Sequence, residues 1–132
     1  MGPLRNFELK QHKFTTTYVK MQQAYISENG TVLGNYKVIG YSTPGEGNQT
    51  TNFDYTENDQ SWDKNTVALS TTDIDNAWQA KSRVKLNDCA ESSVWSVSVK
   101  ASSTNAGEAT FTAKVPSDDC EALTPSFTKI GK

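Results

Sequence analysis

Three runs decide the fold: Trp78-Gln79-Ala80-Lys81-Ser82-Arg83-Val84-Lys85-Leu86, then Val94-Trp95-Ser96-Val97-Ser98-Val99-Lys100-Ala101, then Ala109-Thr110-Phe111-Thr112-Ala113-Lys114-Val115. In the first, Trp78, Ala80, Val84 and Leu86 hold the even positions, and Gln79, Lys81, Arg83 and Lys85 hold the odd ones. The second and third repeat the pattern, with Trp95, Val97, Val99 and Ala101 and then Ala109, Phe111, Ala113 and Val115 on the apolar parity. A period of two means strands with one buried and one wet face, the mark of an antiparallel sheet covered on one side. The joining segments 87–92 and 102–108 are short, polar and rich in turn formers, so the runs form a three-strand meander.

The only two cysteines flank this meander. Cys89 lies in the first turn and Cys120 follows the third strand, and a meander places those two points at the same edge. The topology therefore predicts a Cys89–Cys120 disulfide. Closing a loop of about thirty residues stabilises by roughly 3 to 4 kcal/mol on the chain-entropy model.

The 132 residues suffice for a single domain, 1–132, with one core. Ser and Thr number 29 and the apolar fraction is low, which together with paired cysteines points to a secreted surface in an oxidising compartment. Net charge is −2 and the cations are scattered, so nucleic acid is not an expected partner. No apolar run approaches the roughly 18 residues of a membrane span, and no signal peptide is present. Met1-Gly2-Pro3-Leu4-Arg5 reads as vector-derived, so an export or anchor segment is expected to have been removed from the N-terminus.

Residues 7–28 read as a helix, with Phe7, Phe14, Tyr18, Met21 and Tyr25 on one stripe, Asn6 as N-cap and Asn29-Gly30 as the stop. Residues 31–75 form a long connection. Thr66-Val67-Ala68-Leu69 supplies a fourth strand, so the sheet covers 66–115, and segment 116–132 lies back over it with Leu123, Phe127 and Ile130. The expected core is Phe14, Tyr18, Met21, Tyr25, Trp78, Val84, Trp95, Val97, Val99, Phe111 and Val115.

Catalytic motifs are missing: there is no nucleophile elbow, no metal-spaced His pair and no phosphate loop, and the sole histidine, His12, sits among Lys10, Gln11 and Lys13 on a solvated helix face. The chain is not expected to be an enzyme or to carry a cofactor. Asp54, Glu57, Asp59 and Asp63 crowd one loop and are the weak candidates for a metal. A hard cation wants six to eight oxygens in a closing turn, and that spacing is lacking. Trp62 and Tyr55 are candidate platforms for a ligand or partner, since flat exposed rings stack on sugars.

Short stretches resemble a known family. Met21-Gln22-Gln23-Ala24-Tyr25-Ile26-Ser27-Glu28-Asn29-Gly30 is similar to the end of the helix of bacterial type IV pilins and type II secretion pseudopilins. Ile39-Gly40-Tyr41, Pro44 and Phe53-Asp54-Tyr55 resemble the segment that follows it. The family's apolar half-helix, with its cleavage site and its docking Glu, has no counterpart here. The resemblance implies an α+β, pilin-like fold: a long N-terminal helix packed on an antiparallel β-meander of about four strands. It also implies a structural subunit of an extracellular pilus or periplasmic pseudopilus, anchored in the inner membrane before assembly, with adhesion as an added role. The partners implied are identical or related subunits and the inner-membrane assembly machinery, with the membrane met only through the missing helix. Some pseudopilins hold calcium with loop carboxylates, which is the family parallel for the acidic loop. The alternative is a secreted carbohydrate-binding module using exposed aromatics.

Overall fold

A computed structural model of the chain describes residues 2–57, 62, 65–105 and 107–131, with side chains from residue 12 onward. The element order is helix α1 (Gly2–Asn29), strand β1 (Val32–Gly34), the short helix α2 (Tyr36–Ile39), β2 (Phe53–Thr56), β3 (Thr66–Ala68), β4 (Ile74–Ser82), β5 (Val94–Ala101), β6 (Ala109–Lys114), the short helix α3 (Asp118–Glu121) and a 3-10 turn at Phe127–Lys129.

β4, β5 and β6 pair antiparallel in sequence order. Trp78 faces Val97, Ala80 faces Trp95, and Val97 and Val99 face Ala113 and Phe111, so the apolar parities of all three strands meet on one buried face. The register slips between Ile74 and Trp78, where Asn76 takes a left-handed φ of 57°. Such a bulge breaks alternation, and Ala77 and Trp78 are consecutive buried residues.

The expectation of a long N-terminal helix packed on one meander of about four strands, pilin-like, is overturned. Among the described residues six strands are divided between two antiparallel sheets, ordered β2-β4-β5-β6 and β1-β3. Thr66–Ala68 is not the fourth strand of the meander; it pairs with Val32–Gly34 in the separate small sheet. The fourth place belongs to Phe53–Thr56, from within the expected loop region, because Phe53 and Tyr55 sit on the parity that continues the buried face and Tyr55 lies opposite Ala80. The residues laid directly on the Trp78–Trp95 face come from the connection and the C-terminal segment. Tyr41 accepts a hydrogen bond from Trp78 Nε1 at 3.0 Å, Thr124 accepts one from Trp95 Nε1 at 2.9 Å, and the Phe127 ring lies 6.2 Å from Trp78. Helix α1 reaches this face mainly through rings, with Phe14 edge-on to Tyr55 and Tyr18 edge-on to Tyr36 and Tyr41.

Several expected core positions are corrected. Val84 is 40% exposed, because β4 ends at Ser82 and the chain turns away, Arg83 N–H donating to Asn52 O. Phe14, Met21, Tyr25 and Val115 are half-buried, whereas Tyr18, Trp78, Trp95, Val97, Val99 and Phe111 are buried. On α1 the buried line runs through Thr15, Tyr18, Val19, Gln22 and Ile26, one residue round from the expected stripe. Two of its members are polar, which is why apolar spacing placed the stripe elsewhere.

Candidate functional site

Gln22 is fully buried, and its side-chain amide imitates a strand. Oε1 accepts from Gly34 N–H at 2.9 Å while Nε2 donates to Gly34 C=O at 2.8 Å and to the Tyr18 hydroxyl at 3.0 Å. A Cβ at Gly34 would sit 2.7 Å from the side chains of Val38 and Ile39, so only glycine lets β1 come this close. Both backbone polar groups of Gly34 are satisfied by one side chain, and α1 is thereby fixed to β1. Sequence reasoning missed this pair, for nothing in hydrophobic spacing marks a buried glutamine.

Around the clamp stands a cluster of phenols. Tyr18, Tyr36 and Tyr41 meet edge to face at ring separations of 5.0–5.7 Å. Burial pushes the Tyr18 and Tyr36 hydroxyls well above the usual phenol range and Tyr41 up to about 12, the hydrogen bond with Trp78 opposing the shift at Tyr41. Such groups stay protonated at neutral pH and serve the packing. Glu57 borders this cluster and accepts from Tyr36 N–H at 3.0 Å. Desolvation raises its carboxyl above the usual range, and that hydrogen bond opposes the shift.

The acidic loop is divided in the structure. Asp54 lies on the wet face of β2, 3.8 Å from Arg83 Nε, while Glu57 turns to the start of α2. Asp59 and Asp63 lie outside the described residues, and among the described residues no three His, Cys, Asp or Glu side chains are placed to hold a metal ion together. Tyr55 is only 2% exposed, so it offers no platform. Trp62 is half-buried and packs against the core.

The disulfide is present: Cys89 and Cys120 are bonded and buried, with Cα atoms 4.7 Å apart. Ser117 caps α3 by accepting from Cys120 N–H, which aims the thiol side of that helix at the β4–β5 turn.

The described residues line at least two open depressions. One, of about 350 Å³, has Asp54, Thr56, Gln79 and Lys81 as a two-by-two floor on the wet face of β2 and β4, walled by Asn48 and Gln49. The other, of about 480 Å³, runs between α1 and the C-terminal segment, where His12 lies with Thr16, Lys20 and Lys129 over Val19 and Ile130. Among the described residues no helix is long and apolar enough to cross a membrane. No protein-family model, no curated protein and no solved structure matches this chain.

Proposed function

We propose that this chain is a structural subunit that packs with like subunits into an extracellular or periplasmic filament of the type IV pilus or pseudopilus kind. The observation that supports the reading is the clamp between Gln22 and Gly34. A subunit that bears load in a filament needs its helix and its head to move as one body, and a buried double hydrogen bond resists their separation. The disulfide adds to this by tying the segment after β6 to the β4–β5 turn. The test is electron microscopy of cells that make the protein, labelled with an antibody against it. Label spaced along filaments is the expected result, and label spread over the cell surface with filaments unmarked rejects the reading.

The polar depression at the β2–β4 edge favours a second reading, glycan binding. A carboxylate, an ammonium, a hydroxyl and amides on one floor match the alternating donors and acceptors of a sugar. Saturable binding of a defined polysaccharide that is lost in both Asp54→Ala and Gln79→Ala would promote that reading.

A further inference from the structure

We propose that the groove between α1 and the C-terminal segment receives the disulfide corner of a second copy of this chain, so that copies join head to tail. The inference rests on the filament reading and names the contact that filament would use.

The groove carries cations over an apolar floor. Lys20 and Lys129 are exposed on its two walls, with Val19 and Ile130 between them. The C-terminal wall is held in place by Gly131, which at φ 86° lies against β6 so closely that a Cβ would meet Phe111 O at 2.8 Å. The corner has the opposite sign. Asp88 and Glu91 flank Cys89, and Asp118, Asp119 and Glu121 flank Cys120, so the bond ties together two segments that carry five carboxylates, with Lys85 the nearest cation in sequence.

Neither patch is neutralised within the molecule. Among the described residues the ion pairs are Asp54 with Arg83 and Asp75 with Lys114; Lys20, Lys129 and the five corner carboxylates take no part in one. Like charges held together on a pinned corner repel, and a surface of the opposite sign relieves that repulsion while steering encounter. The two patches are different surfaces, so the contact is heterologous. It leaves a free groove at one end and a free corner at the other, and such a contact propagates as an open chain wherever the rotation between successive copies does not close a ring.

The test is carbodiimide cross-linking of the whole chain at low ionic strength, using an equal mixture of 14N- and 15N-labelled protein. Mass spectrometry is expected to find mixed-isotope bonds joining Lys20 or Lys129 to Asp118, Asp119 or Glu121, in a ladder of oligomers. Lys20→Glu with Lys129→Glu, and separately Asp118→Lys with Asp119→Lys, should each lower the yield about tenfold, and mixing the two variants should restore it. Far-UV circular dichroism checks that both variants stay folded. Cross-links that map elsewhere, survive either reversal, fail to return on mixing or never form between molecules overturn the contact. Labelled filaments with a failed charge swap would keep the filament reading and discard this interface; unlabelled filaments would discard the reading whatever the swap shows.

Discussion

The two halves of the molecule are held by different means. From Ile74 to Lys114 the chain builds its sheet from neighbours in sequence, and the apolar parity of β4, β5 and β6 specifies which face meets the core, although Ser96 and Ser98 on the other face of β5 are buried as well. From α1 to β3 the contacts are long in sequence and polar: Gln22 to Gly34, Asn35 to Asn65, Tyr36 to Glu57, and Tyr41 to Trp78. A strand's period of two survives as a pattern that can be read in one dimension. A side-chain amide that satisfies a distant backbone leaves no such trace.

The comparison predicts where damage spreads. Trp78→Ala or Trp95→Ala should cost the most, about 3 to 5 kcal/mol by chemical denaturation, because each ring is fully buried on the face shared by both halves. Loss should be global, with one unfolding transition. A second transition at lower denaturant would show instead that the halves unfold separately.

Removing the disulfide comes next. Cys89→Ser with Cys120→Ser should cost roughly 3 to 4 kcal/mol, and intact mass of the unreduced native chain should show no alkylatable thiol. Two reactive thiols in oxidised material would contradict the bond.

Gln22→Ala sharpens the contrast. It leaves the N–H and C=O of Gly34 without their partner and should cost roughly 2 to 3 kcal/mol. The effect should be local: amide exchange is expected to accelerate in β1 and α2 while β5 stays protected. Val84→Ala serves as the control, expected within about 0.5 kcal/mol because the side chain is exposed. If β5 exchange accelerates as much as β1 exchange, the Gln22 clamp supports the whole fold and its effect is not local.

The smallest effect belongs to alkali. Tyr41 ionises at about 12 in the fold against 10 in an unfolded chain, so the fold favours the protonated phenol. That stability is present in full below pH 10 and is lost as pH rises from 10 toward 12, on the order of 2 kcal/mol from this residue. Tyr18 and Tyr36, shifted in the same direction, add to the loss. Absorbance at 295 nm should report their ionisation together with unfolding and not before it. A phenol step that precedes the loss of structure would mean the cluster is wetter than its burial implies.

The meander and its disulfide are legible in the sequence because both follow from local alternation and from the end of a sheet at which a turn must lie. The fourth strand is not. Phe53 and Tyr55 alternate as clearly as Val67 and Leu69, and choosing between two short runs requires knowing which one the edge of β4 accepts. Val84 shows the opposite failure, for its parity agrees with Trp78 and Ala80, yet the chain leaves the sheet at Ser82. The candidate carboxylates divided for the same reason: Asp54 and Glu57 are three residues apart, and a strand ending between them sends one to the wet face and the other toward α2.

By itself the sequence determined which face of each meander strand meets the core and that two thiols would meet, because a period of two and a hairpin's geometry act over a few residues; it did not show that the polar face of β5 is buried too, at Ser96 and Ser98. Only the tertiary structure decided that the connection supplies β2, that a small second sheet stands beside the first and that Gln22 fixes α1 to β1. Those outcomes depend on which distant backbone groups and rings come within hydrogen-bond and van der Waals reach once the sheet exists, and that proximity is a property of the folded chain.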